Sequence, residues 1–371
     1  MSLTVRRRRA ADTAKAAAAD ALLVTHLPDV RWLSGFTGSN AALVLLAPKS
    51  GAAKAVLFTD GRYTAQAKAE AAGARVVIAQ KNAAVAACEW LAEAKIKRCG
   101  FDDGNTTVAA LKQMRESLPA KLRRQMFQPV GALVSELRWI KDYDEIATMR
   151  RAAALGCRLF EEILGVMEPG MSEDTVAAEL EYRARLQGAE AMSFPTIVAS
   201  GQRSALPHGK ASAAKLPKRG FVTLDFGVVL DGYCSDMTRT VHMGRATGEE
   251  RAVYEAVLSA QEAGVAAVRA GATSGEVDEA ARGVLRATKY KGHGLDKWFT
   301  HSTGHGVGLE IHEGPRLAAK QNQQLKPGMV VTIEPGVYMP GKFGVRIEDM
   351  VLVTPRGAEI LTPSTKAWIE L

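Results

Sequence analysis

Four acidic residues interrupt apolar, β-branched runs in the second half of this chain. Asp225 lies within FVTLDFGVVL, Asp236 within YCSDMTRTVHMG, Glu334 at the end of VVTIE, and Glu348 within VRIEDMVLV. Such runs are typical of buried strands, where an ionised carboxylate is costly unless positive charge compensates it. The four acids therefore predict a buried cluster that binds cations, because a solvated surface would not place acids among so many apolar neighbours.

The first two acids belong to a predicted β-hairpin. The dipeptide Asp-Gly at residues 231 and 232, between two apolar runs, is a signal for a two-residue turn. This turn places Asp225 opposite Thr238 and leaves Asp236 as a diagonal neighbour on the same face. From the hairpin alone a second interpretation stays open, in which one acid caps a turn and the other faces solvent. The two later acids favour the clustered interpretation.

A segment rich in histidine and glycine, HSTGHGVGLEIHEGP at residues 301–315, offers a ligand of another type. Gly304, Gly306 and Gly308 remove side chains around His305, so that the backbone can approach a site closely. Neutral imidazole is a common metal ligand. Four carboxylates offset the charge of two divalent ions, and one imidazole completes an oxygen-rich site suited to Mn(II), Co(II) or Fe(II), with Zn(II) less favoured. Two such ions can activate a water for hydrolysis.

The pattern along the chain changes near residues 137–143, which predicts two domains, 1–138 and 139–371. Up to about residue 133, the apolar runs ALLVT, AVLFT and ARVVIA alternate with alanine-rich helical stretches, as in an α/β domain. The second part begins with helical periodicity over residues 135–170. Its later strands are too close in sequence for parallel crossovers, which favours an α+β domain.

Two helices in the second part have distinct signals. One is predicted directly after Ser172, and its acidic first turn suits the positive end of the helix dipole. The other is predicted as one long helical region from Glu249 to about Thr288.

The composition is that of a globular protein with two cored domains. No window holds the roughly 18 uncharged apolar residues of a membrane span, and a secretory signal is not evident. We therefore expect a cytoplasmic protein that does not act at a membrane, with four reduced, structural cysteines.

The formal net charge of +8 owes four charges to the run Arg6–Arg9, so little basic excess remains for nucleic acid. This run is interpreted as the solvated, frayed start of a helix through AADTAKAAAADALL. A polyanion-binding tail is the alternative.

The order of the motifs resembles the pita-bread metallopeptidases (peptidase family M24), which include methionine aminopeptidase, aminopeptidase P and prolidase. Residues from about 140 onward resemble the catalytic domain, and LLVTHLPDVRWLSGFTGSNAALVL with LFTDGRY resembles the N-terminal domain of the proline-specific branch. The resemblance implies an α+β pita-bread domain over 139–371, preceded by a smaller α/β domain of the creatinase/prolidase type over 1–138.

The resemblance also implies roles for individual residues. Two divalent ions are expected, Mn(II) first, on the ligands Asp225, Asp236, His305, Glu334 and Glu348. The implied catalytic residues are His208 and His312, as donors to the substrate carbonyl and oxyanion, and Glu334 as a proton shuttle. The implied substrate-side residues are His301 and Arg346. An exposed loop position for His208 and a packing role for His301 are the alternatives.

The leading functional hypothesis is a metal-dependent Xaa-Pro aminopeptidase that acts on peptides with proline at the second position. The alternative is a prolidase, which cuts only the dipeptide Xaa-Pro and needs a basic residue to close the cleft around a free carboxylate. A metal-free binding protein on the same fold is a remote alternative, since all five ligand positions are intact. The resemblance also implies a homodimer.

Overall fold

The computed structural model describes residues 1–46 and 53–371, which divide into two compact units, Met1–Arg138 and Trp139–Leu371. Within these described residues, no helix has both the length and the apolar composition needed to cross a membrane.

The first unit contains a mixed sheet with the order β4-β3-β2-β1-β5-β6 among its described strands. The β1–β5, β5–β6 and β3–β4 pairs are parallel, and β2 pairs antiparallel with both β1 and β3. The alternation of strands with helices confirms the predicted α/β organisation. The described elements are α1 (Leu3–Ala16), β1 (Ala21–Val24), α2 (Leu27–Ser34), β2 (Ala42–Leu46), β3 (Lys54–Asp60), α3 (Thr64–Glu70), β4 (Arg75–Ala79), α4 (Ala83–Glu93), β5 (Cys99–Phe101), α5 (Val108–Glu116), β6 (Phe127–Pro129) and α6 (Leu133–Arg138).

The arginine run Arg6–Arg9 lies inside α1. The sequence predicted that this run is the solvated, frayed start of a helix, and this prediction is wrong for Arg7. The Arg7 side chain is buried, and it donates hydrogen bonds from Nε to Leu33 O (2.7 Å) and from Nη2 to Ala72 O (2.8 Å). The end of the predicted helix is also wrong, because Ala21–Val24 forms the buried strand β1. Arg7 therefore has a structural role, because it joins α1 to the backbone at Leu33 and Ala72 of the same unit.

The second unit pairs its named strands antiparallel throughout, as the short connections predicted. Its five-stranded sheet has the order β16-β15-β17-β20-β21, and its two three-stranded sheets have the orders β12-β9-β8 and β11-β10-β7. The elements are α7 (Tyr143–Leu164), α8 (Glu173–Leu186), β7 (Ala191–Met192), β8 (Ile197–Ser200), β9 (Gly220–Phe226), β10 (Val228–Leu230), β11 (Tyr233–Cys234), β12 (Met237–Met243), α9 (Gly248–Ala267), α10 (Ser274–Ala287), β13 (Lys289–Tyr290), β14 (His293–Gly294), β15 (Gly304–Gly306), β16 (Glu313–Leu317), β17 (Val330–Ile333), β18 (Gly336–Met339), β19 (Phe343–Arg346), β20 (Asp349–Thr354) and β21 (Gly357–Ile360).

Two predicted helices are each interrupted. The periodic stretch 135–170 breaks between α6 and α7, where Asp142 and Glu145 form a capping box that starts a new helix. The predicted region from Glu249 to Thr288 is two helices, α9 and α10, because Gly271 has a positive φ of 85° and Thr273 caps α10. In both regions the apolar residues keep a helical spacing, but a local cap starts a new helix.

The predicted hairpin register is confirmed. Asp225 on β9 faces Thr238 on β12, and the same register continues where Val229 faces Cys234. The ladder is interrupted at Gly227, where an added Cβ would lie 1.8 Å from Ser235 O. This close approach requires glycine and leaves Asp236 outside the regular strand, just before β12.

Candidate active site

A cavity of about 650 Å³ lies within Trp139–Leu371. Its wall contains the four acids of the apolar runs and the three histidines of the segment 301–315. Apolar and basic side chains complete the wall, including Phe194, Ile197, Ile311, Lys210 and Arg316. All nine residues singled out from the sequence line this cavity: His208, Asp225, Asp236, His301, His305, His312, Glu334, Arg346 and Glu348.

The side chains that the sequence predicts as metal ligands lie close together. One donor atom each from Asp236, His305 and Glu348 falls within 4.8 Å of the others. His305 Nε2 lies 3.6 Å from Asp236 Oδ2 and 3.5 Å from Glu334 Oε1. Glu334 and Glu348 project from the ends of neighbouring strands, since Glu334 follows β17 and Glu348 precedes β20. The strand arrangement therefore brings residues that are up to 112 positions apart to one point.

His305 presents a lone pair to the acids. Its Nδ1 lies 3.0 Å from Gly306 O, and because a carbonyl oxygen only accepts, Nδ1 carries the hydrogen. Burial lowers the pKa of His305 to about 4, so the ring is neutral at pH 7. The lone pair on Nε2 then faces Asp236 and Glu334, which is the arrangement that a metal ligand requires.

The acidic cluster carries more negative charge than the protein's own cations compensate. Burial, and next the repulsion from Glu348, raises the pKa of Asp236 and of Glu334. Burial and then the charge of Asp225 raise the pKa of Glu348 to about 8. Asp225 Oδ1 is buried without a hydrogen-bond partner among the described residues. Carboxylates with raised pKa values, an orphaned oxygen and a neutral imidazole together fit divalent cations.

Arg346 links two of these acids. Its Nη2 donates to Asp225 Oδ2 at 2.6 Å, and its Nε donates to Thr238 Oγ1 at 3.1 Å. Thr238 Oγ1 in turn donates to Glu348 Oε2 at 2.6 Å. All four side chains are buried, so Arg346 and Thr238 fix the orientation of Asp225 and Glu348.

His301 is already bound to protein atoms at both ring nitrogens. Its Nδ1 lies 2.8 Å from Ser302 O, and its Nε2 lies 2.8 Å from Tyr338 Oη, which also accepts from Arg346 Nη1. Because Ser302 O only accepts, Nδ1 donates and Nε2 accepts from Tyr338. Burial, and next the charge of Arg346, lowers the pKa of His301 to about 4. The apolar run GVYM gave no sign that Tyr338 forms hydrogen bonds with both His301 and Arg346.

His208 and His312 differ from His301. In the part of the chain that the structure describes, neither ring donates or accepts a hydrogen bond from another protein group. The rings of His312 and His305 are 4.5 Å apart between centroids. Burial, and next the charge of His208, lowers the pKa of His312. Both imidazoles line the cavity, and so they are available to a bound ligand.

Two basic residues in the cavity wall were not singled out from the sequence. Lys210 and Arg316 both line the cavity, and their side chains form no hydrogen bond or ion pair within residues 1–46 and 53–371. Arg316 lies directly after the motif HEGP, and this position could have drawn attention to it. These cations can bind an anionic group of a ligand.

Comparison with known families gives a match in each of the two units. The profile of metallopeptidase family M24 matches residues 147–355, and the profile of the creatinase/prolidase N-terminal domain matches residues 6–140. The two matched regions together confirm the predicted combination of an α/β N-terminal domain and a pita-bread domain.

Individual proteins are similar over most of the chain. The Xaa-Pro dipeptidase of Pyrococcus furiosus is 41% identical over 253 residues, which covers 68% of this chain and 71% of that protein. The structure of an Xaa-Pro dipeptidase from Bacillus anthracis has a TM-score of 0.93, 38% identity and full coverage of both chains. That of an X-Pro aminopeptidase from Thermotoga maritima has a TM-score of 0.86 and 33% identity, and covers 97% of this chain and 100% of its own.

Proposed function

This chain belongs to metallopeptidase family M24, and from that premise we propose that it is an Xaa-Pro dipeptidase. Such an enzyme hydrolyses the bond between an N-terminal residue and a C-terminal proline. Two of the three similar proteins described above are named as dipeptidases. The comparisons therefore support the prolidase alternative better than the aminopeptidase that the sequence alone favoured.

The observation that carries this proposal is the presence of Arg316 in the cavity wall without a partner among the described side chains. A guanidinium binds a carboxylate through two parallel hydrogen bonds. The free carboxylate of a bound Xaa-Pro dipeptide is such an anion, whereas a longer peptide has an amide at that position. Lys210 adds a second positive charge to the same cavity.

The cluster of Asp225, Asp236, His305, Glu334 and Glu348 would hold two divalent ions. When bound, such ions acidify a water molecule and polarise a carbonyl group. Mn(II) as the native ion and a homodimer stay predictions from the sequence.

The chain's own residues would handle the proton and the developing charge. His312 and His208 have uncommitted ring nitrogens, which can donate to the substrate carbonyl oxygen as it becomes negative. Glu334, 3.5 Å from His305, can accept a proton from the attacking water and pass it to the prolyl nitrogen. His301 and Arg346 would act on the substrate indirectly, since both are engaged with Tyr338.

The test compares the dipeptide Ala-Pro with Ala-Pro-Ala and Ala-Pro-amide, on Mn(II)-loaded protein with a chelated control. We expect cleavage of Ala-Pro that depends on metal, with much weaker cleavage of the other two. Arg316→Met should raise KM for Ala-Pro by roughly tenfold or more, the range that loss of a charged hydrogen-bonded contact gives. Arg356→Met, an exposed position outside the cavity, is the matched control.

Two results would contradict the dipeptidase proposal. Equal cleavage of Ala-Pro and Ala-Pro-Ala, with no effect of Arg316→Met on either, would identify an Xaa-Pro aminopeptidase. Failure to bind divalent ions, even when these are supplied in excess, would favour the metal-free binding protein.

A further inference from the structure

Glu173, at the start of α8, is a fully buried carboxylate outside the acidic cluster. Its acidic character suits the helix dipole, but its contacts go beyond that role. Glu173 Oε1 accepts from Ser200 N (2.8 Å) and Ser200 Oγ (2.9 Å). Its Oε2 accepts from Arg203 Nε (2.9 Å) and Ser212 Oγ (2.7 Å). The carboxylate therefore replaces its lost hydration with four donors from one segment.

These donors come from both ends of the same loop, residues 200–212, which we call the His208 loop. Ser200 begins it, Ser212 ends it, and the backbone of α8 adds a hydrogen bond of 2.9 Å from Asp174 N to Ser212 O. Glu173 therefore holds the two ends of the loop together at its base.

The tip of the His208 loop reaches the cavity. Pro207, His208 and Lys210 line the cavity wall. Arg203, which donates to Glu173, also donates from Nη2 to Lys210 O at 2.7 Å. A continuous chain of hydrogen bonds thus runs from Glu173 through Arg203 to the backbone two residues beyond His208.

We propose that Glu173 is a positioning residue that holds His208 in the cavity for catalysis. This inference rests on the proposed function, because it assigns His208 to the reacting carbonyl. The imidazole ring of His208 has no hydrogen-bond partner among the described residues, so the position of the ring depends on the loop that carries it. A displacement of about 1 Å in a catalytic group can cost on the order of 100-fold in rate.

The variant Glu173→Gln keeps the shape of the side chain but removes the charge that holds Arg203. We expect kcat for Ala-Pro to fall by roughly 10- to 100-fold, with KM changed much less. Asp174→Asn is the matched control, since it removes an acid from the same helix turn at an exposed position. If Glu173 acts only on the helix dipole, the two variants will have the same effect, and the proposal is wrong.

A double-mutant cycle separates positioning from a general loss of stability. If Glu173 acts through His208, adding Glu173→Gln to His208→Ala should change kcat by less than about twofold. Independent, multiplicative losses would overturn the proposal. If Glu173→Gln does not fold, Arg203→Met and Ser212→Ala each remove one donor and are expected to show the same non-additivity with His208→Ala.

A second measurement does not need activity. Arg203 and Lys210 are trypsin sites inside the His208 loop, and we expect cleavage there to be several-fold faster in Glu173→Gln than in Asp174→Asn. Equal cleavage rates would contradict the anchoring of the loop. If the wild-type protein hydrolyses no proline peptide, the proposed function fails, and the trypsin comparison still decides whether Glu173 anchors the loop.

Discussion

Arg346 donates a hydrogen bond of 2.6 Å to Asp225, and both side chains are buried within the acidic cluster. This guanidinium is a fixed positive charge beside carboxylates that repel one another. It compensates Asp225 directly and reaches Glu348 through Thr238. The cluster is therefore partly neutralised by the protein itself, and bound divalent ions would complete the compensation.

The first prediction concerns Arg346→Met. Removal of one member of a buried ion pair typically costs about 3–5 kcal/mol, because the remaining charge is left uncompensated. We expect a loss of this size in the free energy of unfolding when a chelator is present. The loss should be smaller with saturating Mn(II), since the ions take over part of the compensation of Asp225.

Urea denaturation in both conditions measures this difference. Arg286→Met is the control, because Arg286 pairs with Glu279 on the surface and should contribute little. An equal loss with chelator and with Mn(II) would show that Arg346 supports the fold independently of the cluster.

The second prediction concerns the imidazole ligand. His305→Ala removes the lone pair that faces Asp236 and Glu334. Loss of a residue that only hydrogen-bonds to a metal ligand lowers metal affinity by roughly 10- to 100-fold. Because His305→Ala removes a ligand itself, we expect the affinity for Mn(II) to fall by more than this. Isothermal titration with Mn(II) measures the affinity, and His293→Ala, an exposed position outside the cavity, is the control. Unchanged affinity in His305→Ala would exclude His305 from the ligand set.

Local sequence signals predicted the hairpin, and the structure confirms its register. The turn at Asp231-Gly232 determined the pairing of Asp225 with Thr238, because a two-residue turn leaves one alignment of the flanking strands. The apolar runs also located the strands beside Glu334 and Glu348. These local signals do not determine which strands become neighbours. The placement of His305 beside Asp236 could not be predicted, because it depends on that tertiary arrangement.

The partners of buried polar groups were the hardest to predict. Tyr338 lies in an ordinary apolar run, and only its contacts with His301 and Arg346 give it a role. The acidic first turn of α8 indicated only a helix-dipole role for Glu173, whereas the structure also binds its carboxylate to the His208 loop. The sequence pattern predicted a solvated Arg7, whereas its guanidinium donates hydrogen bonds to backbone carbonyls. Apart from the pair Tyr338 and Arg346, these contacts join residues at least 26 positions apart.

The third prediction concerns the glycines around His305. A Cβ at Gly304 would lie 1.9 Å from Thr332 O on the neighbouring strand β17. Since a backbone oxygen cannot rotate away, Gly304→Ala should push β15 from β17 and disturb the hydrogen bond of 3.1 Å from His305 N to Thr332 Oγ1. We expect a loss of about 1–3 kcal/mol or more in the free energy of unfolding, with weaker Mn(II) binding.

Gly283→Ala is the matched control for this substitution. Gly283 lies in α10, and a Cβ there would meet nothing within 4 Å. Alanine in an open helical position should stabilise the protein by about 0.5–1 kcal/mol. Chemical denaturation of the two variants should therefore give changes of opposite sign, and a neutral Gly304→Ala would contradict the close approach of the strands.

The last prediction concerns pH and His301. Burial lowers the pKa of this ring to about 4 in the folded protein, against an ordinary value of 6.5. Between these two values the unfolded state binds a proton that the folded state does not. The contribution of His301 to stability is therefore fully present above about pH 6.5. It falls as the pH drops towards 4, by up to about 1.4 kcal/mol per pH unit.

The variant His301→Gln removes this contribution, so the unfolding free energy of the variant should depend less steeply on pH between 4 and 6.5. Urea denaturation from pH 4 to 7, with chelator present for both proteins, measures the difference between their pH profiles. The low pKa of His305 affects both proteins equally and therefore cancels. Parallel pH profiles would show that His301 is protonated as easily in the fold as in the unfolded chain.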